Sequence, residues 1–306
     1  MKVVIAGGTG FLGRPLAAAL VRDGHDVAIL TRRSRSESSR PTRERYVAWS
    51  ADGEVGAWSQ EIAGAGAVVN LAGESIAARR WTEAQKRRIL ESRVLATRSL
   101  RRAMARSSAP PAVLVSGSAV GYYGPLGDEI ATEDRPAGSD FLAGVCRQWE
   151  DEATRGIGST TRVVCIRTGL VLERDGGALP KMLPPFWFGA GGPVGSGRQY
   201  WPWIHRDDWV GLVRFVIGSP AASGPINATA PHPVTNLIFA KSLGRALHRP
   251  ALLPTPGLAL KLLLGEMAEG LLLSGQRAVP AKAERLGFQF TFSQLDEALR
   301  ALFAGK

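Results

Sequence analysis

The chain is poor in cysteine: Cys146 and Cys165 are the only two among 306 residues. Two thiols in apolar surroundings build neither a disulfide framework nor a metal set, and they suit a reducing compartment. Histidine is scarce as well, four in all. With the acids dispersed along the chain, no ligand spacing for a metal emerges. Long clean apolar runs are missing too. The most apolar late stretch, 251–275, is interrupted by Lys261, Glu266 and Glu269; it is too broken to span a bilayer and reads as packed helices. A strand starting at residue 2 leaves no cleavable leader ahead of it, so the expected location is cytoplasmic. No internal repeat or low-complexity tail is present.

Acidic residues are outnumbered, 27 against 38 Lys and Arg, for a net charge of +11. Such a balance raises nucleic acid as a partner. The basic residues, however, are mostly arginines scattered over helices in a chain also rich in Ala and Gly, as a genome-wide codon bias would produce. No basic strand interleaved with aromatics, as in RNA binders, is visible. The expected partner is a small molecule, with no nucleic acid and no membrane; the oligomeric state is not legible.

What is present begins at residue 2. Lys2-Val3-Val4-Ile5-Ala6 reads as a buried parallel strand, and Gly7, Gly10 and Gly13 then open a helix. Strand, glycine turn and helix N-terminus together build a phosphate site, because the glycines admit a tight turn and a close approach to pyrophosphate. Thr9, Phe11 and Leu12 complete the turn. Strand signals at 2–6, 26–30, 45–48, 67–71, 112–116 and 161–167 alternate with helical ones at 11–23, 82–107 and 140–156. That alternation predicts an α/β fold, a Rossmann-type doubly wound parallel sheet.

After residue 170 the texture changes. Residues 173–203 are rich in Gly, Pro and Trp with little periodicity. Residues 207–217 read as helix, 225–228 as strand, and 235–247, 256–273 and 293–304 as helices. The expected organisation is an NADP-binding Rossmann domain over 1–170, with 204–230 returning to it. A smaller, mostly helical substrate part takes 171–203 and 231–306.

The second strand ends in Thr31-Arg32-Arg33. An NAD site places an acid here for the ribose 2′-hydroxyl, whereas arginine accommodates a 2′-phosphate. Thr31, Arg32 and Arg33 therefore favour NADP, against a reading as solvated loop arginines. Leu71, Ala72 and Gly73 follow the fourth strand and let backbone lie against the cofactor. Arg167, at the end of the 161–167 strand, joins this expected cofactor set.

KVVIAGGTGFLG, VVNLAG and VLVSGSAVGYYG together resemble an extended short-chain dehydrogenase/reductase of the epimerase/dehydratase type. NLAGESIAARRW, FLAGVCRQWE, RTGLVLERDGGALPKM, GGPVGSGRQYWPWIH and the closing LGFQF narrow the resemblance to one atypical branch. Its members are epimerase-family NAD(P)-dependent oxidoreductases of undetermined substrate with a C-terminal domain of unknown function, and some are linked to cell division. The resemblance covers essentially the whole chain. It implies NADP binding and a Ser-Tyr-Lys site in which Tyr is the acid/base.

Ser118 matches the Ser. Anchored on Glu150, the Tyr position holds Leu142 and the Lys position holds Cys146; Leu142 transfers no proton and Cys146 carries no cation. A one-residue shift, giving Phe141 and Val145, does not restore the pair. Cys146 shares an apolar stripe with Leu142, Val145, Trp149 and Ala153, as a core thiol would. Tyr122 and Tyr123 are replacement acid/base candidates if a cation such as Arg93 or Lys181 lies near them, against a reading as loop aromatics packed on the sheet.

Arg93 falls on the packed face of the 82–107 helix, where the resemblance implies an Asn at the site wall. It is expected either to contact a phosphate, a carboxylate or Glu74, or to form a structural ion pair with Glu74 or Glu150. Arg87, Arg98, Arg101, Arg102 and Arg106 read as a solvated face. Glu74, Lys181, Arg198 and Gln199 are candidate substrate residues, the last two in a glycine-rich loop with Trp201 and Trp203. The function expected is an NADP(H)-binding oxidoreductase without the Tyr/Lys pair; the alternative is a non-catalytic NADP-binding sensor or regulator.

Overall fold

The computed structural model describes residues 1–32 and 43–304. Seven strands form one all-parallel sheet: β1 (Lys2–Ala6), β2 (Asp26–Thr31), β3 (Glu44–Ala48), β4 (Ala67–Asn70), β5 (Val113–Ala119), β6 (Arg162–Thr168) and β7 (Gly224–Ala228). Their order is β7-β6-β5-β4-β1-β2-β3. The order reverses between β1 and β4, so the crevice that takes ligands in such sheets opens at the carboxyl ends of these two strands. The central strands are apolar on both faces because helices cover both.

α1 (Gly13–Arg22) and α5 (Arg206–Gly218) cover one face, burying Leu16, Leu20, Trp209 and Val213 against Ile5 and Val115. α2 (Glu83–Ala105) covers the other through Ala96 and Leu100 and packs beside α3 (Phe141–Thr154). Caps set the helix starts. The side chains of Thr82 and Asp140 accept the amide hydrogens of Gln85 and Ala143 at 3.2 and 2.8 Å, each satisfying one orphan donor of a first turn.

The C-terminal part has its own core, where Leu183, Phe186, Trp203, Phe239, Leu243 and Leu299 meet. It is carried by α4 (Leu179–Trp187), α6 (Asn236–Leu247), α7 (Gly257–Leu264) and α8 (Leu295–Phe303). α4 lies inside the stretch expected to be irregular. Its prolines hide it: Pro184 and Pro185 remove two ladder hydrogen bonds. The helix persists because Leu179, Leu183 and Phe186, spaced i, i+4 and i+7, are all buried.

Two other expectations fail. The helix expected over 256–273 breaks at Gly265, whose φ of +64° is in the left-handed region, and the broken-off α7 buries none of its residues. The supposedly solvated arginine face of α2 is partly engaged. Arg98 and Arg101 both pair with Glu152, at 3.3 and 3.0 Å, and Glu152 is buried on α3. Arg102 pairs with Glu54 at 2.5 Å; Arg87 and Arg106 do face solvent.

Candidate functional site

The glycine turn after β1 is fixed by backbone contact. Gly7 has φ +80°, and a Cβ on it would lie 2.7 Å from the Leu71 carbonyl carbon. A Cβ on Gly13 would lie 2.6 Å from the Gly8 Cα. Both positions therefore exclude any side chain, and Gly7 brings the residue 7–13 turn against Leu71-Ala72. A Cβ on Gly10 would approach only the Gly7 oxygen, at 3.2 Å. The N-terminus of α1 carries no side-chain cap, unlike those of α2 and α3, and no acid in its first turn. The Arg14 amide hydrogen bonds the Gly10 carbonyl at 3.1 Å, but the positive end of the helix is left without a side-chain acceptor, and the turn fits a dinucleotide pyrophosphate.

The second wall is positioned by a buried asparagine that sequence reasoning passed over. Asn70 ends β4, donates to Thr97 Oγ1 at 2.9 Å and accepts the Ala72 amide hydrogen at 3.2 Å. It thereby fixes the Leu71-Ala72-Gly73 turn. Phe11 lies under a crossing loop: a Cβ on Gly177 would come 2.8 Å from its ring. Thr31 ends β2 and Arg32 follows it, exposed; Arg33 lies outside the described residues. The cofactor candidates on the turn after β1, at the end of β2 and after β4 thus gather along one crevice, whereas Arg167 does not join them as a free donor.

Arg167 is instead the centre of a buried network. Its Nε and Nη2 donate to the two Glu150 oxygens, each at 2.9 Å, and its Nη1 donates to Tyr123 Oη and the Glu133 carbonyl, each at 3.1 Å. Burial alone would lower its pKa, but the bonds and charge of Glu150 outweigh that and hold it above the ordinary value. Ser118 Oγ donates to Glu150 Oε1 at 2.6 Å. The Ser118 hydroxyl is therefore oriented by the same carboxylate that pairs with Arg167.

The two tyrosines are fixed by the same guanidinium, and neither Arg93 nor Lys181 is the cation beside them. Arg167 Cζ lies 3.5 Å from the Tyr122 ring centroid. Tyr123 is buried, donates to Asn227 Oδ1 at 2.7 Å and accepts from Arg167. Burial pushes its phenol up to about 12, against the opposing pull of Arg167. A phenol so held is a poor proton donor at neutral pH; Tyr123 is a packing and positioning residue rather than the expected acid.

Leu142, where the resemblance implies Tyr, packs on Gly121. Cys146 is buried, and burial pushes its thiol up to about 11. Arg93 meets none of the ion-pair partners expected of it. Glu150 is committed to Arg167, and the Glu74 carboxylate stays outside ion-pair distance, acting on Arg93 only through its charge. Among the described residues, no carboxylate lies within ion-pair reach of Arg93. Its Nη1 donates to the Ile89 carbonyl at 2.9 Å, and its Cζ lies 5.2 Å from the Trp149 ring. A Cβ on Gly73 would lie 3.2 Å from that Cζ. Burial lowers the Arg93 pKa, with the charges of Cys146 and Glu74 opposing. A desolvated cation therefore stands between the turn after β4 and the Lys-equivalent position on α3.

The remaining substrate candidates disperse. Lys181 and Arg198 are exposed. Gln199 is structural on its nitrogen side, donating to the Val194 and Leu272 carbonyls at 2.9 and 2.8 Å, while its Oε1 is buried without a partner. Among the described residues, no cluster of His, Cys, Asp and Glu could hold a metal and no helix is long and apolar enough to cross a membrane.

Comparison with known proteins agrees with this arrangement. Residues 3–148 match the NAD dependent epimerase/dehydratase family, and residues 255–302 match a domain of unknown function, DUF1731. The chain is 43% identical to the epimerase family protein SDR39U1 homolog, chloroplastic, of Arabidopsis thaliana, over 99% of this chain and 86% of that one. It is 41% identical to epimerase family protein YfhF of Bacillus subtilis, over 100% and 99% of the two chains. A crystal structure of human epimerase family protein SDR39U1 (isoform 2) with NADPH superposes with a TM-score of 0.88 at 34% identity, covering 100% of both chains.

Proposed function

This chain belongs to the NAD-dependent epimerase/dehydratase family, and from that premise we propose that it is an NADP(H)-binding oxidoreductase acting on a small anionic compound without a Tyr/Lys pair. The observation that carries the reading is the cradle at residues 7–13. Gly7 and Gly13 admit no side chain, and the turn leads into a helix end with no side-chain cap and no acid. Bound there, NADP(H) supplies hydride transfer. Arg32 meets the 2′-phosphate, and the turn at 71–73, held by Asn70, lies along the ribose. The NADPH in the human SDR39U1 structure supports the same choice of cofactor. Arg93, a cation without a carboxylate, attracts a carboxylate or phosphate on the substrate. The reduced thiols Cys146 and Cys165 suit the cytoplasm.

A second reading, a non-catalytic NADPH sensor, is favoured by one observation: the positions where the resemblance implies Tyr and Lys hold Leu142 and Cys146, neither a phenol nor an amine. One pair of measurements separates the two. Calorimetric titration is expected to show NADPH binding at least about tenfold tighter than NADH, with the difference lost in Arg32→Ala. Equal affinity for the two would overturn the assignment of cofactor. Absorbance of reduced nicotinamide is then followed over a panel of phosphorylated and carboxylated carbonyl compounds. Turnover that falls at least about tenfold in kcat/KM in Arg93→Met, with NADPH affinity unchanged, supports the oxidoreductase reading. Tight NADPH binding with no turnover on any member of the panel establishes the sensor instead.

A further inference from the structure

Of the apolar stretch expected to be packed, 252–263 is largely in water, while Met267 and Ala268 are buried. Phe188, Leu252, Leu258, Leu262 and Leu263 are 86%, 79%, 71%, 73% and 68% exposed. They form one surface. The Leu253 amide hydrogen bonds the Gly191 carbonyl at 3.2 Å, which joins the 251–256 segment to the loop that follows α4. A Cβ on Gly257 would lie 3.8 Å from the Gly195 Cα, joining the same loop to the start of α7. Trp187, Leu253 and Ile238 are exposed as well, so the apolar residues in water here are clustered along a few segments rather than scattered singly.

The charge around this surface has one sign. No Asp or Glu occurs between Asp175 and Asp207, or between Asp208 and Glu266. Those acid-free stretches contain α4, the glycine-rich loop, α6 and α7. They carry Lys181, Arg198, Lys241 and Arg249, all exposed. Of the neighbouring acids, Glu269 pairs with Lys261 and Glu266 shares Lys86 with Glu83, each at 2.8 Å. A second copy of the chain, docking by the same face about a two-fold axis, would bring two uncompensated basic rims together. An anionic surface does the reverse. Leucines and an aromatic pair enter the acyl boundary while the rim cations meet lipid phosphates.

We propose that this face of the C-terminal part docks on the surface of an anionic phospholipid bilayer, with α7 lying in the interface plane and Trp187-Phe188 beside it. The contact is peripheral, since α7 has eight residues, far too few to cross the hydrocarbon core. It departs from the expectation of no membrane partner, and it does not depend on what chemistry the crevice performs.

The test is co-sedimentation of the full chain with vesicles of phosphatidylcholine containing about 30% phosphatidylglycerol, beside vesicles of phosphatidylcholine alone. The expected result is at least about tenfold more protein on the anionic vesicles, declining with salt. Leu262→Glu with Leu263→Glu removes that excess. Both side chains lie in water, so circular dichroism and the thermal midpoint stay as in the parent and separate lost docking from lost folding. Quenching of Trp187 emission by brominated acyl chains, absent in Trp187→Phe, reports insertion directly. Equal recovery with both kinds of vesicle overturns the proposal. A concentration-dependent dimer in sedimentation velocity that the same double substitution abolishes also overturns it, because the occupant is then a second copy.

Discussion

Glu150→Gln removes one negative charge from a site where it faces a guanidinium with 3% of its side chain exposed, while Glu150 itself is 12% exposed. Two hydrogen bonds of 2.9 Å to Arg167 and one of 2.6 Å from Ser118 are affected. The amide keeps one acceptor but turns a donor toward the arginine, so Arg167 stays buried and charged with no counterion. Breaking a buried pair this way costs about 3–5 kcal/mol. The partial exposure of Glu150 places the expectation near the lower end, about 3 kcal/mol. For a chain of this size that corresponds to a fall in Tm of roughly 5 °C. Arg167→Met is expected to be at least as costly, since it also takes a partner from Tyr123. The decisive measurement is the double variant, Glu150→Gln with Arg167→Met, in urea unfolding followed by circular dichroism. With both charges removed, its cost is expected to fall short of the sum of the singles by about 2 kcal/mol or more. A single Glu150→Gln within about 1 kcal/mol of the parent, or strictly additive singles, would refute the reading of Glu150–Arg167 as the electrostatic support of Ser118.

Three further outcomes follow from the geometry. Gly13→Ala places a methyl 2.6 Å from the Gly8 Cα, so NADPH affinity measured by fluorescence titration is expected to fall at least about a hundredfold, and a loss below threefold would count against the cradle. Burial lowers the His205 pKa below its ordinary 6.5 despite Asp207, and neutral Nδ1 accepts the Asp207 amide hydrogen at 3.2 Å to cap α5. The unfolded chain then binds the extra proton first, so His205 contributes stability above the unfolded value that is lost as pH falls below about 6.5; thermal melts from pH 7.5 to 5 are expected to show this decline reduced in His205→Asn. Cys146 and Cys165 are 4% and 2% exposed with both thiols shifted upward by burial, so neither is expected to react with an aromatic disulfide at pH 8 until denaturant is added, and a rapid native-state reaction would contradict their burial.

Much of the fold is legible locally. β1, the glycine turn and α1 lie within 21 consecutive residues, and each is set by near neighbours: apolar continuity, the glycines, a 3.6-residue stripe. Leu142 and Cys146, where the resemblance implies Tyr and Lys, are likewise read from one helix. α4 was obscured because its two internal prolines argue locally against a helix that only tertiary burial of Leu179, Leu183 and Phe186 sustains. The sequence placed Ser118 at a site but gave no sign that Glu150 orients it, because the partners lie 32 residues apart on different elements.

The parallel sheet and the dinucleotide crevice were set locally, since both follow from residue type and spacing along a few turns of chain. Only the tertiary structure decided which cation serves which group. Arg167, not Arg93 or Lys181, holds the tyrosines, while Arg98 and Arg101 neutralise Glu152. It alone left the leucines of α7 in water. Pairing and exposure depend on how each helix is rotated against its neighbours, and that rotation is settled by packing across the whole chain.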